Sequence, residues 1–265
     1  MDNSLPCPDP LPLWQDADYV AVHKPPGLLV HRSPIANRDE RFALQLVRDL
    51  LGRHVFPVHR LDRGTSGVLL MALSSEAARA AAERFEAGEV RKRYVAFVRG
   101  WPADEGRIDH PLRRIEEELP RTDRGVNAEA QPALTHYRRL RRMECPLAGL
   151  PGTLPAGLAA PGHASLRYAL MALQPQTGRQ HQLRRHLKHI AHPIVGDASY
   201  GKGVHNRWWA ARLGLQRLWL HAEALELPHP RDGTPLRLES PLAAPFNMDW
   251  QRLLEQPDWL PPAPR

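Results

Sequence analysis

One stretch constrains this chain more than any other: His59-Arg60-Leu61-Asp62-Arg63-Gly64-Thr65-Ser66-Gly67, running straight into Val68-Leu69-Leu70-Met71-Ala72-Leu73. An unbroken apolar run of that length reads as a strand buried on both faces. Gly64 and Gly67 mark a turn that bulkier residues could not make. The fold must therefore present one carboxylate, Asp62, on a loop at the mouth of a buried strand, with an arginine on either side. Nearby cations lower a carboxylate pKa, and a deprotonated Asp can act as nucleophile or base. The same residues also suit a plain structural turn with a surface ion pair, and spacing by itself leaves both open.

The flanking segments read as alternating strands and helices. Tyr19 to Val22 fits a strand, His23-Lys24-Pro25-Pro26-Gly27 a turn, and Leu28 to Val30 the returning strand. Ala43, Leu46, Val47, Leu50 and Leu51 share one helical face, and Gly52 supplies the stop. Val55 to Val58 fits a short strand that delivers the Asp62 loop. Ser74 or Ser75 can cap a second helix with Ala78, Ala81, Ala82 and Phe85 on its apolar face. A basic cluster, Arg91-Lys92-Arg93, leads into the strand Tyr94 to Val98, and Tyr94 suits a core tyrosine with its hydroxyl at the edge. Leu134 to Met143 and Leu166 to Leu173 read as strands joined through the Pro/Gly/Ala-rich segment 146–163, expected to be a flexible surface loop. The first of these strands carries Arg138, Arg139, Arg141 and Arg142, a solvated face or part of a polyanion surface.

Thr177 and Gln180 have capping-box spacing, so a helix is expected to open there, burying Leu183, Leu187 and Ile190. Arg179 then falls in the first turn, where the helix dipole disfavours a cation. It either points into water or has an anion beside it, and Asp62 is the candidate. His192 to Asp197 reads as a turn and strand, Leu218 to Leu227 and Leu236 to Glu239 as closing strands, and Asn247 to Gln256 as a last helix.

Four of these stretches together resemble the RluA-type pseudouridine synthases. The first is His59-Arg60-Leu61-Asp62, two residues, then Thr65-Ser66-Gly67. The second is Lys92-x-Tyr94-x-Ala96. The third is Thr177-Gly178-Arg179-x-His181-Gln182-Leu183-Arg184, and the fourth is His192 to Asp197. The resemblance runs from about Leu13 onward. One departure is His23, where the family carries Asn in an Asn-Lys-Pro-x-Gly turn. The resemblance implies an α+β pseudouridine synthase fold: a mixed, mostly antiparallel central sheet flanked by helices, with the active site in a basic cleft across it. It implies that Asp62 is catalytic, that Arg179 pairs with it, and that Tyr94 packs against the target base. Arg60 is expected to enter the space the flipped base leaves. His59, Arg63, Lys92, His181, Arg184 and Arg185 are expected to contact RNA. Stretches such as Leu29 to Ser33, Ala133 to Arg138 and Gly214 to Leu218 are most similar to members that modify uridine 65 in the T-stem region of tRNA. The reaction implied needs no cofactor.

Composition agrees with that class. A net charge of +7 suits a polyanionic partner. No apolar run reaches eighteen residues, which argues against a membrane helix. The N-terminus is acidic and Pro-rich, unlike a signal peptide. Two cysteines form neither a disulfide framework nor a metal motif, and a cytoplasmic home follows. His181, His186, His189 and His192 crowd one segment, but Arg and Lys surround them and no acidic ligand is near, so no metal is expected. The organisation expected is a flexible arm over 1–12 and one catalytic domain over 13–260, acting on tRNA as a monomer. Competing readings are a synthase for ribosomal RNA or another tRNA site, a non-catalytic RNA-binding module, and a ribonuclease using His59 and His181.

Overall fold

The computed structural model describes residues 7–31, 41–115, 129–148, 155–159 and 162–261. In chain order the elements are β1 (Leu11–Gln15), β2 (Tyr19–Lys24), α1 (Ala43–Leu51), β3 (Phe56–Pro57), β4 (Ser66–Ala72) and α2 (Ser75–Glu86). There follow β5 (Arg91–Arg99), β6 (Glu105–Asp109), β7 (Leu134–Pro146), β8 (Ser165–Pro175), α3 (Gln182–His189) and α4 (Gly203–Leu213). The chain closes with β9 (Leu220–Pro228), β10 (Pro235–Glu239) and α5 (Met248–Leu254). β1 with β2, β2 and β3 with β4, β9 with β10, β5 and β7 with β8, and β6 with β7 pair antiparallel, while β4 meets β9 in parallel, so the sheet is mixed and mostly antiparallel, as expected for an α+β fold. The chain divides into two compact units, residues 1–93 with 221–241, and 94–220 with 242–265.

In the first unit β4 is the spine. It is buried along its whole length, which the unbroken apolar run requires. β2 pairs with it antiparallel from Tyr19↔Ala72 to Lys24↔Gly67, and β9 pairs parallel at Ser66↔His221 and Gly67↔Ala222. Val68, Leu70 and Ala72 face Tyr19, Ala77, Ala81, Leu225 and Leu227 in one core. The Ser74 side chain caps α2 by accepting from the Ala77 N–H at 3.1 Å. β1 takes in Leu11 and Pro12, two residues of the expected arm, so they are ladder residues rather than flexible ones. Residues 1–6 lie outside the described chain. Leu28 to Val30 do not form the expected strand; they carry one bridge, Leu29 to Phe42.

In the second unit β5, β8, β7 and β6 lie side by side, each antiparallel to the next. Phe97 anchors the core: its ring meets Trp209 edge-on at 4.9 Å, stacks on Tyr168 at 5.3 Å and touches Trp259 at 5.8 Å. α4, which buries His205, Trp209 and Leu213, has no counterpart among the expected helices. Its i, i+4, i+8 face begins with a histidine, and apolar residues also occupy its other faces, so no clean stripe shows. His205 can be buried because the Tyr168 hydroxyl pairs with its Nδ1 at 2.8 Å. The 146–163 connection does join β7 to β8, but Leu158 is buried in the core, so that part of it is anchored. Residues 192–197 form no regular strand: Ile194 bridges Val98, Val195 donates to the Phe97 carbonyl at 2.9 Å, and its own carbonyl accepts the Trp219 N–H at 3.0 Å.

Gly67 is the tightest point of the first unit. It has φ +115°, and a Cβ there would sit 2.1 Å from the Ala222 carbonyl oxygen. Gly67→Ala is expected to lower unfolding free energy by roughly 2–4 kcal/mol, read as a drop in the urea midpoint.

Candidate active site

The Asp62 loop runs from β3 to β4 and is tied down through its backbone. The Thr65 N–H donates to the Asp62 carbonyl at 3.0 Å and closes the turn. The Arg63 carbonyl accepts from the Gly27 N–H at 2.8 Å, and Arg63 Nε donates back to the Gly27 carbonyl at 3.0 Å. Lys24 supplies the third tie. Its side chain is fully buried, and Nζ donates to the carbonyls of Pro25 and Leu28 at 2.8 Å and of Arg63 at 3.2 Å. A buried ammonium is tolerable only when its donors are met, and these carbonyls meet them. The His23-to-Gly27 turn and the Asp62 loop are thus one fastened body. Asp62 itself is half-buried, while Arg60 and Arg63 are exposed.

His59 does a different job from the one expected. Its Nε2 accepts the Leu70 N–H at 3.0 Å, and its ring stacks on Phe85 at 5.3 Å. Burial, helped by the Lys92 charge, pushes its pKa down to about 4. The ring is therefore neutral near pH 7 and bolts the loop to β4. Burial also lowers the Lys92 amine. Behind the loop runs a buried chain that sequence spacing could not reveal. The carbonyl of Ser240 accepts from His221 Nε2 at 2.6 Å, so the proton sits on Nε2. His221 Nδ1 then accepts the Ser66 hydroxyl at 2.8 Å. His23 Nδ1 pairs with the Ser240 hydroxyl at 2.9 Å. His23, the departure from the family turn, is thereby accommodated.

The remaining expected residues belong to the second unit. Tyr94 is half-buried on β5 opposite Leu173. Arg179 is exposed and lies before α3, not in its first turn. The helix opens at Gln182, after His181 in a left-handed conformation at φ +52°. The capping-box spacing is not used because Gln182, not Gln180, folds back: its Oε1 accepts from the Arg179 N–H at 2.9 Å and the Thr177 hydroxyl at 2.7 Å. Its Nε2 donates to the Leu134 carbonyl at 3.0 Å and to Thr135 Oγ1 at 3.1 Å. The helix-dipole argument for an anion beside Arg179 therefore falls, and Arg179 Nε donates to the Pro132 carbonyl at 3.1 Å.

His181 Nδ1 pairs with the Tyr200 hydroxyl at 3.1 Å. Arg184 is nine-tenths buried and grips Asp197 with two bonds of 2.7 and 2.9 Å, and the same carboxylate accepts the N–H groups of Ser199 and Tyr200. These bonds hold the Asp197 carboxyl below its ordinary pKa against the opposing effect of burial. Expected at the RNA face, Arg184 instead fastens the turn after residue 196. Arg185 is half-exposed and donates to the Arg113 carbonyl at 2.8 Å. The crowded histidines have separate tasks: His186 bridges Thr135 and the His110 carbonyl, His189 stacks on His110 at 3.8 Å, and His192 pairs with the Arg99 carbonyl. Among the described residues no three His, Cys, Asp or Glu side chains are placed to hold a metal ion.

A family model described as RNA pseudouridylate synthase matches residues 18–189, which take in Asp62, Tyr94 and Arg179. The chain belongs to the RNA pseudouridylate synthase family. A Haemophilus ducreyi protein named tRNA pseudouridine synthase C is 42% identical over 93% of the chain and 95% of its own length. A Pectobacterium carotovorum protein of the same name is 47% identical over 93% of the chain, which spans 62% of that relative's length. Among solved structures, human RNA pseudouridylate synthase domain containing 4 superposes with a TM-score of 0.63 at 28% identity, covering 92% of this chain and 93% of its own.

Two outcomes follow. His59 must be neutral in the fold, so its contribution is full above about pH 6.5 and is lost as pH falls through about 4. His59→Gln, which keeps an acceptor for Leu70, is expected to make the acid limb of a stability-versus-pH curve shallower; His205, also near 4, retains its share. Breaking the buried pair with Arg184→Gln is expected to cost about 3–5 kcal/mol, measurable as a fall in Tm.

Proposed function

We propose that this enzyme isomerises a uridine of tRNA to pseudouridine, at uridine 65 in the T-stem region, with Asp62 as the group that starts the reaction. The observation that carries the reading is the Asp62 loop: a half-buried carboxylate on a backbone fastened by Lys24, Gly27 and Thr65, inside a family-matched segment. Relatives named tRNA pseudouridine synthase C, 42–47% identical over 93% of the chain, support tRNA as the substrate. The ribonuclease alternative loses ground because the Nε2 lone pair of His59 is already engaged by Leu70.

In the proposed reaction the bond from ribose C1′ to N1 breaks, the base turns, C1′ bonds to C5, and the C5 proton leaves while N1 regains one. Asp62 begins it by attack on the ribose or by taking its 2′ proton. Preorganisation is what the fastened loop contributes, since a carboxylate held in place does not have to reorganise as charge develops. Tyr94 packs against the base, and Arg179 keeps the carboxylate role the resemblance gives it. A paired uridine must leave its stem at a cost of a few kcal/mol, and Arg60, exposed beside Asp62, takes the vacated space. His181 and Arg185 stand with Lys92 and Arg63 as RNA contacts. The protein works in the cytoplasm, as a monomer, with no cofactor; no helix among the described residues is long and apolar enough to cross a membrane.

Tritium release from tRNA labelled at uridine C5 tests this. Wild type is expected to release label from one mapped T-stem site. Asp62→Ala is expected to reduce release at least ~1,000-fold while tRNA binding stays within about twofold. Release from ribosomal RNA alone would overturn the substrate, and full activity of Asp62→Ala would overturn the mechanism.

A further inference from the structure

The second unit carries a row of cations on a sheet face that the catalytic assignment does not use. Arg107 on β6, His136 on β7 and Gln174 on β8 stand in one register row, and all three are exposed. Directly opposed residues on neighbouring strands project from the same face. Arg138, two residues beyond His136, projects from that face as well and is exposed. Simple alternation would turn Arg141 away. The register shift between Arg139 and Arg141 inserts one extra residue, Leu140, so Arg141 pairs with Leu170 and returns to the face of Gln174 and Arg138. From the Gln174 pair to the Leu170 pair is roughly 14 Å of strand.

Arg107, Arg138 and Arg141 form no ion pair among the described residues. The opposing charges on the face are Glu105, in register with Arg138, and Asp109, in register with Leu134 at one end of β6. Arg141 rests its guanidinium over the Trp259 ring at 4.8 Å, which holds it in place. A line of arginines over that length, interleaved with the neutral donor Gln174 and with His136, suits a polyanion strand better than a small anion.

Tyr94 pairs with Leu173, which pairs with Tyr137, and that row lies on the opposite face. β6 is the outer strand of this set. An RNA that presents its target base on the Tyr94 face can reach the arginine row by passing over the β6 edge. We propose that the Arg107–Arg138–Arg141 row binds the phosphate backbone of the tRNA substrate at a part remote from the target uridine, so that it selects whole tRNA over an isolated stem-loop. The proposal rests on the tRNA reading above and adds a second contact surface to it.

The test measures equilibrium binding of full-length tRNA and of a T-arm hairpin across a salt series, with C5 tritium release measured alongside. The variants are Arg107→Gln/Arg138→Gln and the charge-keeping Arg107→Lys/Arg138→Lys. For full-length tRNA the Gln pair is expected to weaken binding about 10-fold near 0.15 M salt and to reduce the log K against log salt slope by about 1–2. KM is expected to rise with kcat unchanged. Hairpin binding is expected to stay within about twofold, and the Lys pair to restore the slope. An unchanged slope with an active wild type would overturn the surface and leave the function standing. Equal losses on tRNA and hairpin would overturn the remote placement. A wild type with no release from tRNA, but a slope that drops in the Gln pair, would overturn the function and keep the surface.

Discussion

The first unit depends on one buried charge. The Lys24 ammonium has no exposure to water, and it survives there because the carbonyls of Pro25, Leu28 and Arg63 replace its hydration shell. Those carbonyls come from two segments far apart in sequence, so satisfying one lysine forces the turn after β2 and the Asp62 loop to share a position. The reciprocal Gly27–Arg63 bonds then follow from that closeness. Without the ammonium, the Pro25 and Leu28 carbonyls would lose this donor, and the Arg63 carbonyl would be left with the Gly27 N–H. The path of the Asp62 loop is therefore set by backbone atoms and one ammonium.

The second unit solves a similar problem with an uncharged side chain. Gln182 has two donors and an acceptor oxygen with two lone pairs, and each is met: by the Leu134 carbonyl and Thr135 hydroxyl on β7, and by Thr177 and the Arg179 N–H before the helix. Thr135 passes the connection on to His186, whose other nitrogen reaches the His110 carbonyl. The loop that carries Arg179 is fixed to β7 by this amide. Arg184 and Asp197 fasten the other side of the same helix with a two-pronged pair that is worth having only because the backbone donors of Ser199 and Tyr200 complete the carboxylate's coordination.

Much of this was legible in the residues, and the misses have physical reasons. β4, α1, the Ser74 cap and the long strands followed from periodicity because their buried faces are apolar and regular. α4 was missed because its buried face starts with His205, whose burial is licensed by a tyrosine on another strand. The start of α3 was placed too early because Thr177 and Gln180 have the right spacing, while the neighbouring Gln182 makes the bonds. Arg184 and His59 were expected to face RNA from their charge and place in a motif. Their partners, Asp197 and the Leu70 N–H, are tertiary and could not be read from spacing. The Arg141 face was likewise hidden, since a single extra residue in a ladder leaves no mark in the sequence.

The parallel contact of β4 with β9 has a consequence for how the chain is made. Ser66 meets His221, a partner 155 residues further on, and Gly67 lies flat against Ala222. Joining such distant segments carries a large loop-closure cost and comes late in folding. During synthesis, which runs from the N-terminus, the strand that follows Asp62 has no parallel neighbour until the ribosome has released the segment beyond residue 221. Until then β3 covers the Met71–Ala72 end of this β4 edge while the Ser66–Gly67 end stays open, and the aspartate loop acquires its final support only once residues 221 and 222 have emerged.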